Sequence, residues 1–119
     1  MKIRDIVVHL NANIVNDCGL DKQVAGACGA DLMSDVLAFV KHNSVLLTGL
    51  VNQHVIRTAE MIDISCIVFV RGKQPSEDIC VLAREKGITV LTTDASLFEA
   101  CGILYSKGLL PCMDEEEGT

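Results

Sequence analysis

The sequence predicts one α/β domain of three layers, in which a short and mainly parallel sheet is flanked by helices. From residue 44 onward, three continuous apolar runs alternate with amphipathic segments. Strands without polar alternation are typical of a sheet buried on both faces, and strands that are joined by helices pair in parallel. The chain has 119 residues, which suits one domain with its own core. We therefore expect residues 1–110 to form this domain.

Helical spacing predicts a first helix over residues 2–10. Its apolar positions, at i, i+3, i+4 and i+7, are Ile3, Ile6, Val7 and Leu10. Short strands are predicted at residues 14–15 and 23–28. A second amphipathic helix follows. Asp31 is predicted to cap its N-terminus, because an aspartate oxygen accepts hydrogen bonds from the free N–H groups of a first helical turn.

The rest of the chain predicts alternating strands and helices. The predicted strands are Ser44–Thr48, residues 64–70 and residues 88–91, and the predicted helices are residues 52–62, a segment between Ser76 and Gly87, and residues 95–107. Ser76 is predicted to cap the second of these helices, and the Thr-Thr-Asp run at 92–94 is predicted to cap the third. The apolar side chains of the third helix that we expect to face the core are Leu97, Phe98, Cys101, Leu104 and Tyr105.

Charge and hydrophobicity limit the partners. The formal net charge is −6 at pH 7, and four of the negative charges lie at residues 114–117, so the remaining chain is almost neutral. A neutral body with an acidic end does not favour nucleic acid as a partner. No apolar run reaches the roughly 18 residues of a membrane-spanning helix, so we expect no membrane contact. Residues 111–119 are predicted to be a disordered acidic tail.

The six cysteines are predicted to be reduced thiols of a cytoplasmic protein. They are Cys18, Cys28, Cys66, Cys80, Cys101 and Cys112. None forms a C-x-x-C pair, and no histidine lies at zinc-ligand spacing from a close cysteine pair. We therefore expect no metal and no cofactor, while a zinc or iron–sulfur protein that works through these cysteines stays an alternative.

A ligand site is predicted at the carboxyl ends of the parallel strands, where open α/β sheets bind their ligands. Free N–H groups of the following helices point to the same edge and favour a small anionic ligand. The candidate contacts are Thr48, Gln53, His54, Arg71, Gly72, Thr93 and Asp94. The alternative is that these residues only cap helices or face solvent. No catalytic residue is assigned.

Residues 31–110 resemble a DRTGG domain. The passages that carry this resemblance are GADLMSDVLAFVKHNSVLLTG, HVIRTAEMIDISCIVFVRGKQPSEDICVLAREKGITVL and TTDASLFEACGILYSKGLL. The D-L-x-S-D-V-x-A stretch at residues 31–38 and the pair Gln53-His54 are similar to small stand-alone members. Residues 19–24 also resemble the N-terminal domain of HPr kinase/phosphorylase.

The chain departs from the family pattern at its namesake residues. The Asp-Arg pair falls on Val51 and Asn52, and the Thr-Gly-Gly run falls on Val70, Arg71 and Gly72, so only one glycine remains. The phosphate-binding loop of the kinase, G-x-x-x-x-G-K-[ST], is also absent from the sequence. The roles of the namesake residues are therefore not transferred to this chain.

The resemblance implies an accessory module, because DRTGG domains in larger proteins are generally regulatory and some help to form dimer interfaces. We expect a non-catalytic regulatory or protein-interaction module, which forms a homodimer or binds a protein partner and senses a small ligand. A nucleotide- or phosphate-binding protein that uses the strand-end crevice is the alternative. An enzyme or metal protein that works through its cysteines is a third hypothesis.

Overall fold

The computed structural model describes residues 1–40 and 43–111 and consists of a sheet between two layers of helices. The helices are α1 (Ile3–Leu10), α2 (Met33–Phe39), α3 (Gln53–Met61), α4 (Glu77–Glu85) and α5 (Leu97–Ser106). The strands are β1 (Asn13–Asn16), β2 (Gly26–Gly29), β3 (Ser44–Thr48), β4 (Cys66–Phe69), β5 (Thr89–Thr92) and β6 (Leu110–Pro111). All elements predicted from the sequence are therefore present, with bounds that shift by a few residues.

The six strands form one sheet in the order β1-β5-β4-β3-β2-β6. Strands β2 to β5 run in parallel, β6 is parallel to β2, and β1 pairs with β5 in the antiparallel direction. The last row across the centre of the sheet pairs Thr48 with Phe69 and Phe69 with Thr92. The prediction of a mainly parallel α/β sheet is confirmed.

The side chains of the central strands alternate between two apolar clusters. One face, with Leu47, Val68 and Leu91, packs against α1 and α5. The other face, with Leu46 and Ile67, packs against α2, α3 and α4. The central strands are fully buried because both faces are covered, which explains why their sequences are continuously apolar.

The prediction that Asp31 caps α2 is wrong. Leu32 occupies the N-cap position of α2, and no side chain makes a capping hydrogen bond there. The Asp31 carboxylate instead accepts hydrogen bonds from the Thr48 hydroxyl and the Gly49 N–H. The physical reason is the pairing of β2 with β3, which continues in the bond from the Ala30 N–H to the Leu47 carbonyl and places Asp31 beside the end of β3.

The predicted cap of α5 at residues 92–94 is also wrong. Ser96 caps this helix: its hydroxyl accepts from the Glu99 N–H at 3.1 Å, and the Glu99 carboxylate accepts from the Ser96 N–H at 3.2 Å. This reciprocal capping box satisfies two backbone N–H groups at the start of the helix. Ser76 lies at the N-cap position of α4 as predicted, but its side chain makes no capping hydrogen bond.

Helix α5 buries a narrower face than its sequence predicts. Ala100 and Leu104 are buried and Leu97 and Cys101 are half-buried, whereas Phe98 is 88% and Tyr105 is 69% exposed. The prediction that these two aromatic side chains face the core is wrong. Helix α5 lies over β2 and β3, near the edge of the sheet and beside α1, so this outer side of the helix has no layer above it.

The acidic end of the chain follows β6. Pro111, the first residue of the predicted tail, pairs with Ala27 of β2 in this strand. Residues 112–119, including Cys112, lie outside the described residues, and their disorder stays a prediction.

Candidate functional site

The ends of β2 and β3 are joined by Asp31. Its Oδ1 atom accepts a hydrogen bond of 2.9 Å from the Thr48 hydroxyl and one of 2.8 Å from the Gly49 N–H. The Thr48 hydroxyl also accepts from the Leu50 N–H at 3.1 Å. Thr48 is fully buried, so its side chain is not exposed for the direct ligand contact that the sequence predicts. Its hydroxyl instead holds the turn after β3.

Sequence reasoning missed Asp31 as part of this edge. Aspartate before an amphipathic helix predicts a cap, and the same residue at the end of a parallel strand accepts from the neighbouring strand. The available signal was the Thr-Gly pair at the end of β3, which offers a hydroxyl and an unpaired N–H to any acceptor beside it.

A left-handed turn follows β4. Arg71 has φ 60° and Gly72 has φ 67°, and the Arg71 and Gly72 N–H groups donate 2.8 Å hydrogen bonds to the Ala95 and Thr93 carbonyls. A β-carbon on Gly72 would lie 3.0 Å from Oδ1 of Asp94, so a side chain at this position would crowd the carboxylate. The turn is therefore tied to the segment after β5, and the exposed Arg71 side chain projects from it.

The segment after β5 contributes one buried and one exposed residue. The hydroxyl of Thr93, which is 2% exposed, donates to the Leu10 carbonyl at 2.9 Å. This bond ties the end of α1 to the sheet, so the Thr93 hydroxyl is engaged within the fold. Asp94 is exposed beside Gly72.

Gln53 and His54 lie in the first turn of α3, and both are exposed. The preceding Asn52 caps this helix, since its side chain accepts from the Val55 N–H at 3.3 Å. Gln53 lines a shallow groove between α3 and α4, together with Arg57 and Asp78. This groove is distinct from the turn that carries Arg71.

The structure thus brings together three of the seven predicted contacts: Arg71, Gly72 and Asp94. Thr48 and Thr93 support this edge from beneath through their hydrogen bonds. The exposed groups at the edge carry charges of both signs. The positive groups are the guanidinium of Arg71 and the ammonium of Lys73, and the negative groups are the carboxylates of Asp31 and Asp94. Such an edge suits a ligand that carries both an anionic group and hydrogen-bond donors.

The cysteines do not form a metal centre in the described residues. Cys18, Cys66, Cys80 and Cys101 form no disulfide. Nowhere within residues 1–40 and 43–111 do three or more His, Cys, Asp or Glu side chains cluster in a way that could hold a metal ion. Burial raises the pKa of the Cys101 thiol and, far more, that of the fully buried Cys66 thiol.

We expect Cys66 to be inert toward thiol reagents in the folded protein, because the reactive thiolate is strongly disfavoured in its buried position. The measurement is alkylation by iodoacetamide followed by peptide mass spectrometry, in buffer and in urea. The half-buried Cys80 serves as the internal control. Labelling of Cys66 in buffer at the rate of Cys80 would contradict this expectation.

The fold and this edge define the class of open α/β domains that carry polar groups at the carboxyl ends of parallel strands. The sequence profile of the DRTGG domain matches residues 5–106, so the chain belongs to the DRTGG domain family. The resemblance stated from residues 31–110 is confirmed and extends toward the N-terminus. No helix in the described part of the chain is long and apolar enough to cross a membrane.

A solved structure with a similar fold comes from Clostridium perfringens. It contains the CBS and DRTGG domains of the regulatory region of a pyrophosphatase, in complex with the activator diadenosine tetraphosphate. The TM-score is 0.68 at 18% sequence identity, and the alignment covers 99% of this chain and 52% of that chain. This chain therefore spans about half of that one, and the likeness shows a shared fold. The comparison with curated proteins gave no match.

Proposed function

We propose that this chain is a non-catalytic regulatory module, which senses a small anionic ligand at the strand-end edge and assembles as a homodimer. The observation that carries the ligand proposal is the turn after β4. It presents the exposed Arg71 from a left-handed backbone whose N–H groups are bonded to the segment after β5. A non-glycine residue in this conformation is uncommon and is held there by the surrounding structure.

The chemistry of the edge favours a nucleotide or another phosphate compound. A guanidinium donates two parallel hydrogen bonds to phosphate oxygens, and Lys73, two residues further on, adds a second positive charge. Asp94 lies beside Gly72 and accepts hydrogen bonds only, so it suits a sugar hydroxyl or a base amino group. Gln53 and His54 lie on the first turn of α3, and Gln53 lines the separate groove between α3 and α4, so the proposed site consists of Arg71, Gly72, Lys73 and Asp94.

The comparison with the pyrophosphatase supports a regulatory role. That protein carries its DRTGG domain in a regulatory region, and its structure was solved with a nucleotide activator. We extend both properties to this chain as part of the proposal. The closer relationship to small stand-alone members and to the N-terminal domain of HPr kinase/phosphorylase is proposed on the sequence passages alone.

The homodimer is proposed because large apolar side chains are exposed on the described surface. Those more than 60% exposed are Val8, Met61, Phe98, Tyr105 and Leu110. Exposed apolar side chains that lie close together often mark a contact with another chain, and most soluble assemblies are homo-oligomers with two-fold symmetry. The free thiols of Cys18, Cys66, Cys80 and Cys101 favour a reducing compartment, so we place the protein in the cytoplasm.

Arg71→Ala is expected to weaken ligand binding by about tenfold or more, because a charge-assisted hydrogen bond is lost. The measurement is isothermal titration calorimetry with diadenosine tetraphosphate, ATP and inorganic phosphate as separate probes. Arg57→Ala is the matched control, since Arg57 is an exposed arginine in the groove between α3 and α4 and should leave the affinity unchanged.

Two outcomes would overturn the ligand proposal: absence of binding with all three probes, or an equal loss of affinity in both arginine variants.

Light scattering after size exclusion tests the assembly. A mass of one chain at 100 µM, roughly the range of weak specific dimers, would overturn the homodimer. Binding that leaves the monomer–dimer equilibrium unchanged would favour the alternative, a phosphate-ligand-binding protein without a regulatory role.

A further inference from the structure

We infer that the hydroxyl of Thr92 is the inner end of the proposed ligand site, where it bonds to an uncharged polar group of the ligand. The inference rests on the proposed function, because it extends the strand-end site in which Arg71 holds a phosphate. It starts from a buried hydroxyl that the fold leaves without a hydrogen bond.

Thr92 is the last residue of β5, and its side chain is 1% exposed. Within residues 1–40 and 43–111, its Oγ1 atom is the one buried side-chain nitrogen or oxygen without a hydrogen-bond partner. The other threonines at this edge differ, since the Thr48 hydroxyl donates to Asp31 and the Thr93 hydroxyl donates to the Leu10 carbonyl. A buried hydroxyl without a partner destabilises a fold, and such exceptions are expected at functional sites.

The Thr92 hydroxyl lies at the carboxyl end of the sheet, on the side of α4. Along β5, Val90 packs in the cluster beneath α2, α3 and α4, whereas Leu91 packs in the opposite cluster, so alternation turns Thr92 toward α4. Helix α4 packs against β5 and β1. Residues 73–76 join the turn after β4 to this helix and therefore cross the end of β5. The hydroxyl thus lies beneath the segment that continues from the exposed Arg71.

The edge strand β1 gives this hydroxyl a route to solvent. Asn13 lies directly opposite Thr92 in the antiparallel pair, and opposite residues point to the same face of a sheet. Asn13 is exposed, and β1 is the last strand on this side of the sheet. An exposed side chain changes rotamer readily, so Asn13 can move aside and admit a polar group of the ligand.

The charges around the end of β5 favour an uncharged group at this position. Glu77 and Asp78 lie in the first turn of α4, and Asp94 follows Thr92 by two residues. These carboxylates repel a phosphate, whereas a sugar hydroxyl or a base amino group donates to the threonine oxygen without a charge penalty. The phosphate therefore stays with Arg71, and the nucleoside part of the ligand reaches Thr92.

The first test is the thermal unfolding of Thr92→Val without ligand. Valine has nearly the shape of threonine, so the change removes the unpartnered hydroxyl with little repacking, and the Tm should rise by about 2–6 °C. Thr89→Val is the matched control on the same strand. It should lower the Tm, because the Thr89 hydroxyl accepts from the Cys18 N–H at 3.0 Å. A Tm for Thr92→Val at or below that of the wild type would show that the hydroxyl is bonded within the fold, and would overturn the inference.

The second test is isothermal titration calorimetry with ATP and with inorganic triphosphate, which is ATP without its nucleoside. Thr92→Val should weaken ATP binding about fivefold to tenfold and leave the affinity for triphosphate unchanged, since the hydroxyl meets only the uncharged part of the ligand. Thr92→Ser keeps the hydroxyl and should retain most of the ATP affinity. Arg71→Ala should weaken the binding of both probes, and Thr89→Val should bind both as the wild type does.

The outcomes separate this inference from the proposed function. A wild type that binds none of these probes, diadenosine tetraphosphate included, overturns the proposed ligand site and its inner end together. ATP binding that Arg71→Ala weakens and Thr92→Val leaves unchanged overturns the role of Thr92 alone. An equal loss of affinity for ATP and triphosphate in Thr92→Val overturns the assignment of an uncharged group to this position.

Discussion

Replacing Phe69 with alanine is expected to lower the free energy of unfolding by about 3–5 kcal/mol. Phe69 is the last residue of β4, and its side chain is fully buried. It lies on the face of the sheet that packs against α2, α3 and α4, in the cluster that contains Ile56 and Ile79. Truncation removes the contacts of the ring and leaves a cavity that close-packed neighbours on a central strand fill only in part.

The measurement is urea unfolding followed by circular dichroism. Phe98→Ala provides the matched control, because Phe98 is a phenylalanine that is almost fully exposed. At a protein concentration at which both variants are monomeric, the Phe98 variant should change stability by less than about 0.5 kcal/mol. A loss below about 1 kcal/mol for Phe69→Ala would show that β4 is not the centre of the core.

The second large effect is expected for Asp31, an exposed residue. Asp31→Ala should lower the free energy of unfolding by about 2–3 kcal/mol, because the buried Thr48 hydroxyl loses the acceptor for its proton and the Gly49 N–H loses its partner. Exposed residues without such bonds usually change stability by less than about 0.5 kcal/mol when they are replaced. Glu85→Ala, an exposed carboxylate in the last turn of α4, is the control for removal of a surface charge.

Two further variants isolate the contact. Asp31→Asn keeps an acceptor oxygen, so about half of the loss should be avoided. The double variant Asp31→Ala/Thr48→Val should lose less free energy of unfolding than the two single variants lose together, since both changes remove the same hydrogen bond. Additive losses would mean that the bond between Asp31 and Thr48 does not hold β2 and β3 together.

The cluster of side chains at the strand-end edge could be predicted only in part. Parallel strands end at one edge, and a residue that follows such a strand therefore lies there whatever the packing of the helices. This argument correctly placed Arg71, Gly72 and Asp94 together. It did not anticipate that Gln53 lines the groove between α3 and α4, because the sequence contains no signal for which neighbouring element the first turn of a helix meets.

The sequence by itself determined the fold class and the family. The apolar runs at β3, β4 and β5 are continuous because both faces of a central parallel strand are covered, and this property is visible without coordinates. Local spacing likewise determined α1, whose buried positions follow the helical repeat.

Only the tertiary structure decided how particular side chains are used. Asp31 meets Thr48 across 17 positions of the chain, and Thr93 bonds to Leu10 across 83. Each residue also had a plausible local role as a cap, and the choice depends on strand pairing. The helical repeat of α5 showed an apolar face but not its width. The width is decided by the position of α5 near the edge of the sheet, where the layer beneath covers Leu104 and leaves Phe98 and Tyr105 in solvent.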